Sequence, residues 1–265
     1  MSDTPRQWFK IENAAAQVAE VSIFDEISPW GVTAQDFVGA IKGITAPRTN
    51  LHLNTPGGDV FDGIAIFNAI KDHPSEFHVF IPGLCASIGT VIAMAAERIV
   101  IAPHARMMIH EAWGGTMGDA ADMAKMAERL EATSQNIATI YAERGGGTAD
   151  EWRALMKAET WYTDQQAVDA GLADEVGRSN DDSAGKQAAL FNLSRFRHGE
   201  REAALIRADF GVEVAEHVCV CGGSECPLTA QQIEEPPPAP APEPDTNKFV
   251  KEREELEAAL ASVVI

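Results

Sequence analysis

Apolar positions fall in two rhythms over roughly the first two-thirds of the chain. Short β-rich runs at Glu20–Phe24, Leu51–Asn54, Phe77–Ile81, Ile99–Ala102 and Met107–His110 predict strands. Between them the spacing changes to that of a helix. Val60, Ile64, Phe67 and Ile70 share one face of a helix over Val60–Lys71, with Asp59 placed to cap it. A second helix is expected from near Ser87 to about Glu97. The longest runs from Asp119 to Glu143 on a stripe of Met123, Met126, Ala127, Leu130, Ile137 and Ile140, and stops at Gly145-Gly146-Gly147. Alternating strands and helices of this kind predict an α/β domain built from crossover units over residues 1–178.

Beyond Gly177 the pattern weakens. Arg178–Gly185 reads as a polar linker, and residues 179–233 as a tail whose part from 186 to 217 is mixed and weakly helical. Residues 234–245 are rich in Pro, Ala and Glu, the composition of an extended spacer, and a short helix is expected within 246–265. Within the tail, His217, Cys219, Cys221 and Cys226 bring four soft ligands close together. That number suits zinc, but the Cys-x-Cys spacing is tight and there is no second half. Cys85 stands alone in an apolar stretch, so the cysteines do not form a disulfide framework.

The chain has 265 residues and a formal net charge of −19, which argues against nucleic-acid phosphate as a partner. The most apolar stretch, Gly89–Ala102, is broken by Glu97 and Arg98, so no membrane span is expected. The polar first ten residues lack the apolar run of a signal peptide, so a cytoplasmic location is expected.

The candidate chemistry centres on Leu84-Cys85-Ala86-Ser87-Ile88-Gly89. A strand, a Pro82-Gly83 turn and a following helix put Ser87 at a helix N-terminus, where backbone N–H groups favour developing negative charge. The N–H of Ile88 is one natural oxyanion donor. A second glycine-rich turn, Asn54-Thr55-Pro56-Gly57-Gly58-Asp59, has the freedom to bring a backbone N–H close to a ligand, and equally to bind phosphate or simply to turn. His110 ends an apolar strand, as a general base or as a packed structural residue.

The loop Asn54–Asp59, the segment Ala86–Gly89, the strand Met107–His110 and the run Ala167–Asp174 occur in that order. Together they resemble the Clp protease proteolytic-subunit family of serine peptidases over about residues 15–178. The resemblance implies a crotonase-like fold of repeated ββα units with a long handle helix, and ring-shaped homo-oligomers that enclose the active sites; the composition adds a partly disordered C-terminal tail. It makes Ser87 the nucleophile and His110 the base, with the N–H groups of Gly58 and Ile88 as the oxyanion hole. It requires no cofactor. Where the family carries an aspartate before the Ala-Val-x-x-Gly-Leu motif, this chain has Glu159, and Asp164 is the nearest alternative, better suited to capping a helix. In the family the glycine-rich stretch after the histidine offers an edge strand on which an extended peptide adds itself, which makes Gly114 and Gly115 substrate-binding; the stretch reads equally as a flexible loop.

The N-terminal stretch and the long tail resemble phage and prophage relatives that process capsid and scaffold proteins during prohead maturation, without ATP and with release of their own tail. Three other readings stand beside that one: a Clp subunit fed by an ATP-driven unfoldase, a non-catalytic assembly scaffold, and a crotonase-like acyl-CoA enzyme.

Overall fold

A computed structural model describes residues 9–12, 17–177 and 183–212, all within one compact unit. The expected Cys/His cluster, the Pro-rich spacer and the C-terminal helix lie outside the described residues.

The main sheet has six strands in the order β1 (Phe9–Glu12), β2 (Val18–Ile23), β3 (Arg48–Leu53), β4 (Glu76–Ile81), β6 (Arg98–Ile101) and β9 (Glu175–Val176). Only the β1–β2 pair is antiparallel. Strands β2, β3 and β4 alternate strictly between buried positions and half-buried or exposed ones. Ala19, Val21, Ile23, Leu51, Leu53, Phe77, Val79 and Ile81 therefore all face the core. The other face is more polar: Glu20 accepts from Asn50 Nδ2 at 2.8 Å and lies 3.0 Å from His52 Nε2.

Helices α1 (Ala34–Ile41) and α2 (Val60–Lys71) start on capping side chains, Thr33 and Asp59, the latter as expected from the sequence. The long helix α4 (Ala120–Gly145) opens on a reciprocal capping box between Asp119 and Asp122. Of the expected apolar stripe only Ile137 is buried, beside Ser134, Ala138 and Tyr141 of the same helix, whereas Met123 and Ala127 are exposed. The N-terminal half thus extends beyond the core. Helix α5 (Ala149–Ala158) follows, again on a capping box, Thr148 with Glu151.

A second sheet of three strands carries the candidate chemistry, in the order β5 (Leu84–Ala86), β7 (Arg106–Ile109) and β8 (Thr160–Thr163). Strand β5 leads through Ser87 into α3 (Ile88–Ala93), and α6 (Asp164–Asp169) follows β8. The cap of α6 is Thr163, in a box with Gln166; Asp164, expected as a cap, is the first helical residue, and its carboxylate accepts from the backbone N–H of His104 at 3.0 Å.

The chain past the expected boundary is not loose where it is described. Helices α7 (Ser183–Ala188) and α8 (Gly199–Asp209) return to the small sheet, and Ala189, Leu193, Phe196, Ala203 and Ile206 form a second apolar cluster with Leu84, Ala86 and Met108. An ion pair from Arg106 on β7 to Asp209 at 2.6 Å fastens the far end of α8. Among the described residues, no helix is long and apolar enough to cross a membrane.

Candidate active site

The register of the small sheet assembles the site. Strands β5 and β7 are parallel, with Leu84 opposite Arg106 and Ala86 opposite Met108. Ser87 follows Ala86, and its N–H continues the ladder to Met108 O at 2.8 Å. Two residues past Met108 stands His110, on the same edge of the sheet. Its Nε2 lies 2.7 Å from Ser87 Oγ, hydrogen-bond distance for transfer of the hydroxyl proton. Strand β8 runs antiparallel to β7 and pairs Thr160 with Ile109, so Glu159 comes up beside His110.

Ser87 has φ 56 and ψ −130, a left-handed backbone that a serine adopts only when its surroundings impose it. A Cβ added to Gly57 would sit 2.6 Å from the Cβ of Ser87, so only glycine fits beneath the serine. At Gly58, with φ +147, a Cβ would stand 2.0 Å from Ile27 O. The neighbours of Gly58 are bound to Ile27, through Ile27 N–H to Gly57 O and Asp59 N–H to Ile27 O, at 2.9 and 2.7 Å. The N–H of Gly58 stays outside that ladder, and Ile88 N–H opens α3 without an intrahelical acceptor. Thr90 anchors the turn from below, donating to Ser87 O at 2.6 Å and meeting the buried Tyr141 hydroxyl at 2.6 Å.

Ser87, Ile88, Gly58 and His110 line one cleft of about 600 Å³, with apolar walls that include Val91, Leu130 and Ile137. Glu111, Ala112 and Trp113 also border it. Gly114 and Gly115 do not; they are exposed in a segment without strand structure.

Burial is the main influence on His110 and pushes its pKa down to about 4. The negative charges of Glu159 and Glu111 oppose that shift, and the Arg195 guanidinium adds to it. The imidazole is therefore neutral near pH 7 and available to accept a proton. Glu159 acts on His110 through charge. Among the described residues its carboxylate accepts from the backbone N–H groups of Arg197 at 2.7 Å and His198 at 2.8 Å and from Trp161 Nε1 at 3.3 Å, and none of these hydrogen bonds goes to His110. Burial raises the Glu159 pKa, but the donors from His198, Arg197 and Trp161, with His110 nearby, outweigh it and hold the carboxyl below its ordinary value. Burial also drives the Cys85 thiol far up, which leaves it unreactive. Among the described residues, no group of His, Cys, Asp and Glu is arranged to hold a metal ion.

Sequence reasoning missed Arg195, which pairs with Glu26 beside the cleft, and Phe196, whose ring meets His110 edge-on at 5.4 Å. Their only signal is an aromatic residue between two arginines just before α8.

An assembled serine–histidine pair at a helix N-terminus, beside the backbone N–H groups of Gly58 and Ile88, has the layout of a serine-nucleophile hydrolase site. The family model described as "Clp protease" matches residues 38–180. Subunit 2 of the ATP-dependent Clp protease proteolytic component of Corynebacterium glutamicum is 36% identical over 130 residues, 48% of this chain and 64% of that protein. Subunit 1 from Streptomyces avermitilis is 31% identical over 188 residues, 68% of this chain and 86% of that protein. The proteolytic subunit of Streptococcus pneumoniae is 34% identical over 134 residues, 49% of this chain and 68% of that protein. The chain belongs to the Clp protease family.

Proposed function

We propose that this chain is a serine endopeptidase of the Clp type, with Ser87 as nucleophile and His110 as general base. The observation that carries the reading is the 2.7 Å contact between His110 Nε2 and Ser87 Oγ at the start of α3. His110 takes the hydroxyl proton as Oγ attacks the scissile carbonyl. The N–H groups of Gly58 and Ile88 receive the oxyanion, and His110 returns the proton to the leaving amine. Glu159 stabilises the imidazolium by charge. The apolar walls of the cleft suit an apolar side chain of a peptide substrate.

The relatives' names favour a proteolytic subunit fed by an ATP-driven unfoldase over the capsid-processing reading. Exposed Trp30, Phe61 and Met117, at 85%, 79% and 97%, supply apolar surface for a ring of identical subunits, as does the protruding half of α4.

Intact-mass spectrometry of wild type and Ser87→Ala after fluorophosphonate treatment tests the chemistry. Labelling in wild type alone supports it; equal masses with no adduct in either sink it. Degradation of a folded substrate only with a Clp ATPase and ATP supports the fed-subunit reading. ATP-independent cleavage of a capsid or scaffold protein from the same operon would favour prohead processing instead.

A further inference from the structure

Glu159 and His110 are both held by residues beyond the part of the chain that matches the family. The matched region ends at residue 180, and the turn that reaches the site spans Arg195–His198. Helix α8 has no side-chain cap of its own: His198 occupies the capping position without a side-chain hydrogen bond. The carboxylate of Glu159 takes that place from across the site, one oxygen on each of the two N–H groups that precede the helix. Glu159 itself sits in a left-handed conformation, φ 54, at the C-terminus of α5, so its side chain is aimed by a constrained backbone and secured by the turn. Phe196 packs edge-on against the His110 ring and also against Trp161, at 5.4 and 6.1 Å. The turn is tied down by the Arg195–Glu26 ion pair, by Gln187 Nε2 donating to Phe24 O at 2.7 Å, and by the apolar cluster under α7 and α8.

We propose that the Phe196–His198 turn is a positioning element of the catalytic site, which clamps the Glu159 carboxylate with two backbone N–H groups and holds the His110 ring in line with Ser87. The proposal rests on the serine-peptidase reading. The serine–histidine contact is already formed while the turn is in place, and the cleft beside Ser87 stays open. That is the arrangement of a support and not of a plug.

The charged and titratable groups acting on His110 are Glu159 at the α5–β8 junction, Glu111 next in the chain, and Arg195 in the turn itself. Removing the Phe196 ring admits water to the imidazole and lifts the burial that depresses its basicity. Arg197 is the first central residue of a turn closed by Gly199 N–H to Phe196 O at 3.1 Å. His198, the second, has φ −107 and ψ 10, near type I geometry. Proline is accepted at the first central position of such a turn, so Arg197→Pro deletes one donor to Glu159 and keeps the turn.

The test uses the full chain and the variants Phe196→Ala, Phe196→Leu and Arg197→Pro. Two readouts are taken across about pH 4 to 8: the rate of fluorophosphonate labelling at Ser87, and the titration of the His110 imidazole by heteronuclear NMR. Phe196→Ala is expected to raise the His110 pKa by a unit or more and to slow labelling at neutral pH roughly tenfold to a hundredfold. Phe196→Leu, which still excludes water, recovers most of both. Arg197→Pro slows labelling several-fold with unchanged circular dichroism. If Phe196→Ala fails to fold, Arg197→Pro decides by the same readouts. An unmoved His110 titration with wild-type labelling overturns the proposal. So does faster labelling in the variants, which would make the segment an obstructing strap. A moved titration with no labelling even in wild type would remove the peptidase reading and leave the positioning of His110 supported.

Discussion

If Ser87 and His110 act as proposed, the low basicity of His110 sets the acid limb of Ser87 reactivity. An imidazole in water titrates near 6.5, whereas burial pushes this one down to about 4. At pH 5 a group with a pKa of about 4 is about 90% neutral, and one at 6.5 only about 3%. Reactivity of Ser87 at pH 5, relative to its plateau, should thus be about thirtyfold higher than an ordinary histidine allows. The same shift has a consequence for stability. Below pH 6.5 the unfolded chain binds a proton that the folded site refuses, so the contribution of this group is complete above 6.5 and is lost as pH falls toward 4. At pH 4.5 the loss amounts to about 2 to 3 kcal/mol. Fluorophosphonate labelling rates against pH, with urea unfolding of wild type and His110→Gln at pH 7 and 4.5, measure both effects. A labelling midpoint between 6 and 7, with no difference in pH sensitivity between the two proteins, would refute the reasoning.

Other substitutions test the parts around the pair. Thr90→Val removes the donor to Ser87 O and leaves the buried Tyr141 hydroxyl without its partner; urea unfolding should show a loss of about 1 to 3 kcal/mol, and Tyr141→Phe a smaller one. Gly58→Ala drives a Cβ to 2.0 Å from Ile27 O, and calorimetry should show a clear fall in Tm together with loss of Ser87 labelling; an unchanged Tm would contradict the packing described. Glu159→Gln puts an amide where both carboxylate oxygens accept backbone N–H groups and removes the charge beside His110. Ser87 labelling at pH 7 should drop tenfold or more, and a wild-type rate would take Glu159 out of the mechanism.

Much of this site was legible as chain order, because strand ends and glycine turns leave marks in a sequence. The alternation in β2, β3 and β4 and the apolar runs of β6 and β7 located the strands to within a few residues, and Asp59 marked the start of α2. Strand β5 was hidden because its three residues, Leu84, Cys85 and Ala86, are all buried and show no alternation. The closing of the site over α7 and α8 was hidden for a different reason. Their contact residues are alanines and single aromatics spread through a polar segment, which has weak periodicity until the face of β5 and β7 supplies the other half of the cluster. The left-handed backbone at Ser87 carries no mark of its own, since glycine is the usual sign of such a position. That sign stands instead at Gly57, where any Cβ would collide with the serine. The strain at Ser87 is therefore written in a neighbouring loop, and the parallel register of β5 on β7 converts a separation of 23 residues into one hydrogen bond between Ser87 and His110. A one-residue slip of that register would turn His110 to the opposite face of the sheet and break its hydrogen bond to Ser87. For that reason the buried contacts of Leu84, Ala86 and Met108 with α7 and α8 bear on the Ser87–His110 contact as well as on stability.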